Sequence, residues 1–83
     1  MKNKYIIIKE GSIEMPILFP GLLNHIDVAR GTGKEAVGAG FWDIDTNNPD
    51  KIEYFAYGES ITLGIKSREQ DSEILNRFFN SYL

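Results

Sequence analysis

The C-terminal part of the chain carries the pattern that most restricts the fold, a helical stripe of apolar side chains. The sequence SREQ at residues 67–70 fits a capping box, with Ser67 as the N-cap and Gln70 reaching back to it. Apolar residues then recur at helical spacing: Ile74, Leu75, Phe78, Phe79 and Tyr82. Such a helix must pack this stripe on another layer of structure, so we expect Leu75 and Phe78 to be buried.

The sequence before this helix is typical of short strands. Apolar runs at residues 4–9 and 13–19 flank the turn signal EGS and predict a hairpin. Because Pro16 has no N–H to donate, the second strand of this hairpin belongs at a sheet edge. Three further segments predict strands, the first two joined as a hairpin by the turn-rich loop DTNNPD: 35–44, 51–57 and 60–65.

A short helix is predicted between the two hairpins. Residues 22–30 place apolar side chains at helical spacing, and Gly31 suits the C′ position of such a helix. The resulting order, ββαβββα, predicts an α+β fold with a mostly antiparallel sheet of four to five strands and two helices on one face. The whole chain, residues 1–83, is expected to form a single domain.

Composition narrows the class of protein. The chain has no cysteine, which rules out disulfides and thiolate metal sites and fits a reducing cytoplasm. Its net charge of −3 disfavours non-specific nucleic-acid binding. No apolar run approaches the length of a membrane span, so we expect no membrane partner. Because a core this small is weakly stabilising, we expect a homo-oligomer.

The glycine-rich stretch GTGKEA, residues 31–36, matches the dinucleotide pattern G-x-G-x-x-A. That pattern works between a strand and a helix, whereas here a helix precedes and a strand follows. A P-loop also fails, because Val28 stands where Gly is needed and Glu35 where Ser or Thr is needed. We therefore prefer a turn. Further on, Ala36, Gly38 and Gly40 give a strand face without bulk, where a helix, another chain or a ligand could approach closely, and of these we prefer close packing of a helix.

Catalytic and metal-binding patterns are absent from the sequence. His25 is the single histidine and lacks the partners of a zinc site or a catalytic triad. No paired acid–base constellation appears among the carboxylates. We therefore expect that the protein is not an enzyme and that it binds no metal and no cofactor.

The best candidate for a ligand site is the N-terminus of the last helix. Ser67 and the first free N–H groups would accept an anion, and Arg68 would add a charge-assisted contact. Ser60 could join from the preceding strand, and Tyr57 could stack on a base. Three residues would contribute if the glycine turn, or a second subunit, approached this end: His25, Arg30 and Lys34. The alternative is that Ser67 only caps the helix and Arg68 is solvated.

Aromatic side chains of the second hairpin offer another recognition surface. In the first strand of this hairpin, alternation places Val37, Ala39 and Phe41 on one face. Most of the aromatic residues are expected in the core, but the sides of a hairpin alternate, so some rings must turn outward. An outward ring could stack a base or a side chain of a partner.

The segments HIDVA, VGAGFWDI and YGESITLGIKSREQDSEILN together resemble a family of small phage- and prophage-encoded proteins of the anti-defence type. The family pattern is a His-containing helix, an AGF strand and a YGxSxSLGxxSR run entering a final helix. The resemblance covers about residues 19–76 and departs at Thr62, where the pattern has Ser. It assigns no activity, but it implies a phage setting and six residues of interest: His25, Tyr57, Gly58, Ser60, Ser67 and Arg68.

Two hypotheses of function follow. In the first, the protein counters a host defence by sequestering an anionic nucleotide signal, in the manner of phage proteins that hold cyclic or ADP-ribose-type nucleotides as oligomers. In the second, it is an interaction module that docks on a host protein and inhibits it. A nucleotide that co-purifies with the protein would favour the first hypothesis, and a polypeptide that co-purifies would favour the second.

Overall fold

A computed structural model describes residues 2–81, so Tyr82, predicted in the apolar stripe, lies outside the described residues. The described part of the chain forms an α+β fold, as predicted. Its elements follow in the order β1 (Asn3–Glu10), β2 (Ile13–Phe19), α1 (His25–Thr32), β3 (Glu35–Asp45), β4 (Glu53–Tyr57), β5 (Glu59–Ser60), β6 (Ile65–Lys66) and α2 (Glu69–Asn80). None of the helices in these residues is long and apolar enough to cross a membrane.

The main sheet has four antiparallel strands in the order β2-β1-β3-β4. Both predicted hairpins are confirmed, since β1 pairs with β2 and β3 pairs with β4. The strand that contains Pro16 is at an edge, where Pro16 lies opposite Ile7 of β1. This position tolerates a residue without an N–H, because the outer side of an edge strand has no ladder to complete.

The two helices cover opposite faces of the sheet, which corrects the prediction that both pack on one face. Ile6 and Ile8 of β1 contribute to a cluster against α1 residues Val28 and Ala29. The alternating residues Tyr5 and Ile7 point the other way, into a cluster with Ile74 of α2. Because successive side chains of a strand alternate, the apolar run of β1 presents apolar surface on both faces and needs a cover on each. We call the side of the sheet that carries Ile6 and Ile8 the α1 face, and the side that carries Tyr5 and Ile7 the α2 face.

The segment predicted as a fifth strand, residues 60–65, is instead a miniature hairpin. Only two residues on each side pair, Glu59 with Lys66 and Ser60 with Ile65, and residues 61–64 form the turn between them. Leu63 and Ile65 pack on the α1 face beside the first helix. The hairpin therefore extends the core on that face rather than the sheet.

The first helix ends later than predicted. It runs to Thr32, and the left-handed residue that ends it is Gly33, with φ +66° and its N–H donated to the carbonyl of Arg30. Gly31 lies inside the helix. Both glycines suit a helix end by sequence, but a glycine in the left-handed conformation is needed only at the second position.

Candidate functional site

The N-cap of α2 is Arg68, not Ser67. The carboxylate of Asp71 accepts a hydrogen bond from the backbone N–H of Arg68 at 3.1 Å, and the backbone N–H of Asp71 donates to the Arg68 carbonyl at 3.0 Å. Ser67 instead donates its hydroxyl to the carbonyl of Gly58 at 2.9 Å, so its prediction as the N-cap is wrong. The carboxylate of Asp71 therefore provides the negative charge that the N-terminus of a helix attracts.

Asp71 is fully buried and has partners on three sides. The hydroxyl of Tyr5 donates to Oδ2 at 2.6 Å, and Nε of Arg68 donates to Oδ1 at 2.9 Å. Gly38 of β3 faces this carboxylate, and a Cβ at that position would overlap it. The prediction that Gly38 allows close helix packing is confirmed. Burial, followed by the hydrogen bond to Asp71, raises the pKa of Tyr5 far above its ordinary value, which keeps the hydroxyl a donor.

The guanidinium of Arg68 is engaged by a second carboxylate from β2. Its two terminal nitrogens donate to the two oxygens of Glu14 at 2.8 and 3.3 Å. This bidentate pair lowers the pKa of Glu14 and raises that of Arg68. An external anion at the predicted site would have to displace Glu14 or Asp71 from Arg68. The arrangement is that of a structural clamp joining β2 to α2.

Two of the predicted ligand residues lie elsewhere on the surface. Arg30 is exposed near the end of α1. Lys34 forms an exposed ion pair with Glu10 at 2.9 Å. The structure therefore does not bring these two cations to Arg68 within one chain.

His25 and Ser60 are both buried and have structural partners. Nε2 of His25 donates to the carbonyl of Gly40 at 2.7 Å, and burial lowers the pKa of the imidazole. The ring lies edge-on between Phe19 and Phe41. The hydroxyl of Ser60 accepts the N–H of Leu63 at 3.2 Å and so holds the turn of the small hairpin.

His25 and the turn of the small hairpin line one pocket on the α1 face. It measures about 170 Å³, below the roughly 300–1,000 Å³ of sites that enclose a drug-sized ligand. Its lining includes the side chains of Lys4, Phe41, Ile61 and Thr62. Lys4 is already bonded to the carbonyl of Leu23 at 2.8 Å. The pocket is thus too small to enclose a nucleotide.

Beside this pocket, three aromatic rings form a continuous row on the α1 face, which we call the aromatic strip: Phe41, Tyr57 and Phe55. The rings of Phe41 and Tyr57 have centroids 5.8 Å apart, and those of Tyr57 and Phe55 are 5.7 Å apart. Phe55 is 40 % exposed at one end. At the other end Ile61, which lines the same pocket as Phe41, is 87 % exposed. The strip is thus an apolar surface of the β3–β4 hairpin, half-buried at Phe41 and Tyr57 and exposed at Phe55.

Charged groups surround the aromatic strip. The register of β3 and β4 places Asp43 opposite Phe55 and Asp45 opposite Glu53, all on the same face. The ammonium of Lys2 lies over the ring of Phe41, 5.2 Å from its centroid, and 5.6 Å from that of Tyr57. A pocket of about 330 Å³ contains Lys2, Asp43 and Tyr57 in its lining. Cationic and anionic groups therefore meet on one aromatic surface.

A second apolar surface runs between β2 and α2. This groove measures about 540 Å³ and is lined by Ile13, Met15 and Phe78, with Arg77 at its rim. Ile13 is 61 % exposed. The groove lies along the sheet edge that contains Pro16, at the opposite end of the strand order from the aromatic strip.

Sequence reasoning named Tyr57 as a stacking residue and outward rings of the second hairpin as a recognition surface, but it did not single out Phe41 or Ile61. Alternation places Phe41, Asp43 and Asp45 on one face, and it could have revealed the mixture of rings and carboxylates. The exposure of Ile61 could not be inferred, because its segment was predicted as a regular strand.

Within residues 2–81 there is no cluster of side chains that could hold a metal ion. The chain matches no family model, no curated protein and no solved structure.

Proposed function

We propose that this protein acts by docking on another protein through the aromatic strip and Ile61. The observation that carries the proposal is the continuity of this surface. Single exposed apolar residues are common on any protein, but here three rings lie in mutual contact, and Ile61, at 87 % exposure, lines the same pocket as Phe41, so that together they form a patch. Patches of this kind, with a charged rim, are typical of protein–protein interfaces.

The position of the strip supports a binding role. Phe41 and Tyr57 are cross-strand neighbours, and Phe41 is braced from behind by the buried ring of His25. Side chains held in this way lose little conformational entropy when a partner covers them. Aromatic residues are also enriched among those that contribute most binding energy.

Nucleotide sequestration stays a prediction, and the same surface gives it a revised location. Tyr57 and Phe55 could stack a base, whereas the predicted phosphate contact, Arg68, is engaged by Glu14 and Asp71. The three carboxylates beside the strip, at residues 43, 45 and 53, would oppose a phosphate. Charge and geometry therefore favour a protein partner. In the phage setting that the sequence resemblance implies, this partner would be a host protein.

The test is affinity capture from the cells in which the protein is naturally made, followed by mass spectrometry of polypeptides and nucleotides. We expect the wild type to retain a defined polypeptide at near-stoichiometric amounts. Phe55→Ser and Ile61→Ser should each lose it while remaining folded. The matched control is Ile13→Ser, which removes from the groove between β2 and α2 an apolar side chain whose exposure lies between those of Phe55 and Ile61.

Two results would overturn the proposal. If Ile13→Ser loses the partner and the two strip variants keep it, the docking surface is the groove. If a nucleotide co-purifies with the wild type and no polypeptide does, sequestration is supported and docking is wrong.

A further inference from the structure

We propose that the aromatic strip recognises a Lys or Arg side chain in a basic segment of its partner, and that Lys2 occupies this cation site in the free protein. The inference rests on the proposed docking function and specifies the chemistry of the partner. Its first support is the position of the chain's own cation over two rings.

The rings of Phe41 and Tyr57 satisfy the geometry of a cation–π site. Both centroids lie within about 6 Å of a single ammonium group, the range in which the attraction is significant. Their ring planes differ by 35°, so one cation can approach a face of each. Lys2 precedes β1 and has an exposed side chain. Because Lys2 lies outside the hydrogen-bonded strand, its side chain can leave the rings without disturbing the sheet.

The carboxylates around the strip select a cation from the partner. Asp43 shares the pocket with Lys2 and Tyr57, but within residues 2–81 it forms no ion pair. Among the described residues, the side chains of Asp43 and Asp45 each accept only a nearby backbone N–H, from Ile44 and Asn47 respectively. Their negative charge is therefore available to a partner, and it would increase the rate of association with a basic segment.

Replacement of one cation by another explains why the site needs both the aromatic rings and the carboxylates. The rings hold whichever cation is present, so Lys2 competes with the partner and weakens its binding. The carboxylates favour the partner, because a basic segment brings several positive charges whereas Lys2 brings one. Removal of Lys2 and removal of Asp43 should therefore change affinity in opposite directions.

The experiment is an NMR titration of the 15N-labelled protein with a blocked peptide of alternating lysine and glycine. We expect shifts at residues 41–43 and 55–57, and a dissociation constant about two- to fivefold lower for Lys2→Gln than for the wild type. Asp43→Asn, which keeps the oxygen bonded to Ile44, should raise the constant by a similar factor. Glu35→Gln removes the same charge from the exposed start of β3 and is the control, with less than a twofold effect expected.

Equal affinities of the wild type and Lys2→Gln would overturn the inference, as would equal weakening by Asp43→Asn and Glu35→Gln. Absence of shifts at the strip in all four proteins would overturn it as well. Failure here is distinguishable from failure of the docking function. A captured polypeptide that depends on Phe55 and Ile61, but not on Lys2 or Asp43, leaves docking correct and the cation site wrong. If the peptide titration gives the predicted changes in affinity but no polypeptide is captured, the cation site is correct and the docking function is wrong.

Discussion

The side chain of Asn76 in α2 hydrogen-bonds both backbone groups of Tyr54 in β4. Its Oδ1 accepts the N–H of Tyr54 at 2.8 Å, and its Nδ2 donates to the Tyr54 carbonyl, also at 2.8 Å. One turn earlier, Ser72 accepts the N–H of Ala56 at 2.9 Å. The helix thus supplies to this sheet edge the partners that a neighbouring strand would otherwise provide.

Replacement of Asn76 by alanine should destabilise the protein by about 1–3 kcal/mol, because two half-buried backbone groups lose their partners. Urea denaturation followed by circular dichroism measures the loss. The control is Asn80→Ala, at the exposed end of the same helix, for which we expect a change within about 0.5 kcal/mol. Equal effects of the two substitutions would mean that the Asn76 amide does not complete the edge.

Two glycine-to-alanine substitutions should have opposite signs. Gly38→Ala places a methyl group against the buried carboxylate of Asp71 and should destabilise by about 1–3 kcal/mol. Gly31→Ala lies within α1 with open space around it and should stabilise by about 0.5–1 kcal/mol. Thermal unfolding of both variants measures the difference. A Gly38→Ala protein as stable as the wild type would contradict the close contact between α2 and β3.

Leu75 of α2 is fully buried, as the apolar stripe predicts. Leu75→Ala should cost about 2–5 kcal/mol, whereas Leu22→Ala, at a leucine that is 76 % exposed, should change stability by less than about 0.5 kcal/mol. Chemical denaturation of the two variants under the same conditions provides the comparison. A small loss for Leu75→Ala would show that the helix does not dock on this face.

Acid should destabilise the protein in a step that depends on His25. Burial lowers the pKa of this imidazole from its ordinary 6.5, so below that pH the unfolded chain binds a proton that the folded chain does not. Stability contributed by neutral His25 is therefore present above about pH 6.5 and is lost as pH falls through the folded pKa. His25→Gln keeps a donor for the Gly40 carbonyl and should lack this step.

Urea midpoints at a series of pH values test this expectation. Glu14, whose pKa is lowered from 4.5 by Arg68, adds a further loss of stability in the same direction at lower pH, and Glu14→Gln removes that later loss. The two steps are separable because they begin at different pH values. Identical pH profiles of the wild type and His25→Gln above pH 5 would contradict the burial of a neutral imidazole.

The hairpins and the last helix were predictable because their patterns are local. Pro16 indicated an edge, and the spacing of Ile74 and Leu75 indicated a buried stripe. The prediction that Phe78 is buried as well is wrong, because this ring is only half-buried and lines the groove between β2 and α2. What was not predictable depends on contacts between distant segments. The register of β1 and β3 shifts between Ile7 and Ile8, and this bulge moves Val37 off the face that alternation assigned to it, into the cluster on the α2 face.

The candidate site was only partly predictable for the same reason. Ser67 is the N-cap that the sequence predicts, and Arg68 is the N-cap in the structure. The choice between them depends on the positions of Asp71 and Arg68, which are set by contacts with Tyr5, Gly38 and Glu14 from three strands. Arg68 was identified correctly as a charged residue at a helix end. Its engagement by Glu14 could not be known before the distance between β2 and α2 was known.

The predicted homo-oligomer stays a prediction, and the sheet edges restrict its form. One edge is completed by Asn76 and Ser72, and the other contains Pro16. Extension of the sheet from chain to chain is therefore disfavoured. A dimer would have to form through side-chain surfaces such as the aromatic strip or the groove beside β2.

The central position of β1 has a consequence for hydrogen exchange. This strand is paired along both edges and covered on both faces, so the amides of Tyr5, Ile6 and Ile7 should exchange only through global opening. The β5–β6 hairpin, with two residue pairs, should open locally and exchange far sooner. Ile61 lies on that hairpin, so a partner that covers it would slow the exchange of its neighbours while the rate for β1 reported only the stability of the whole domain.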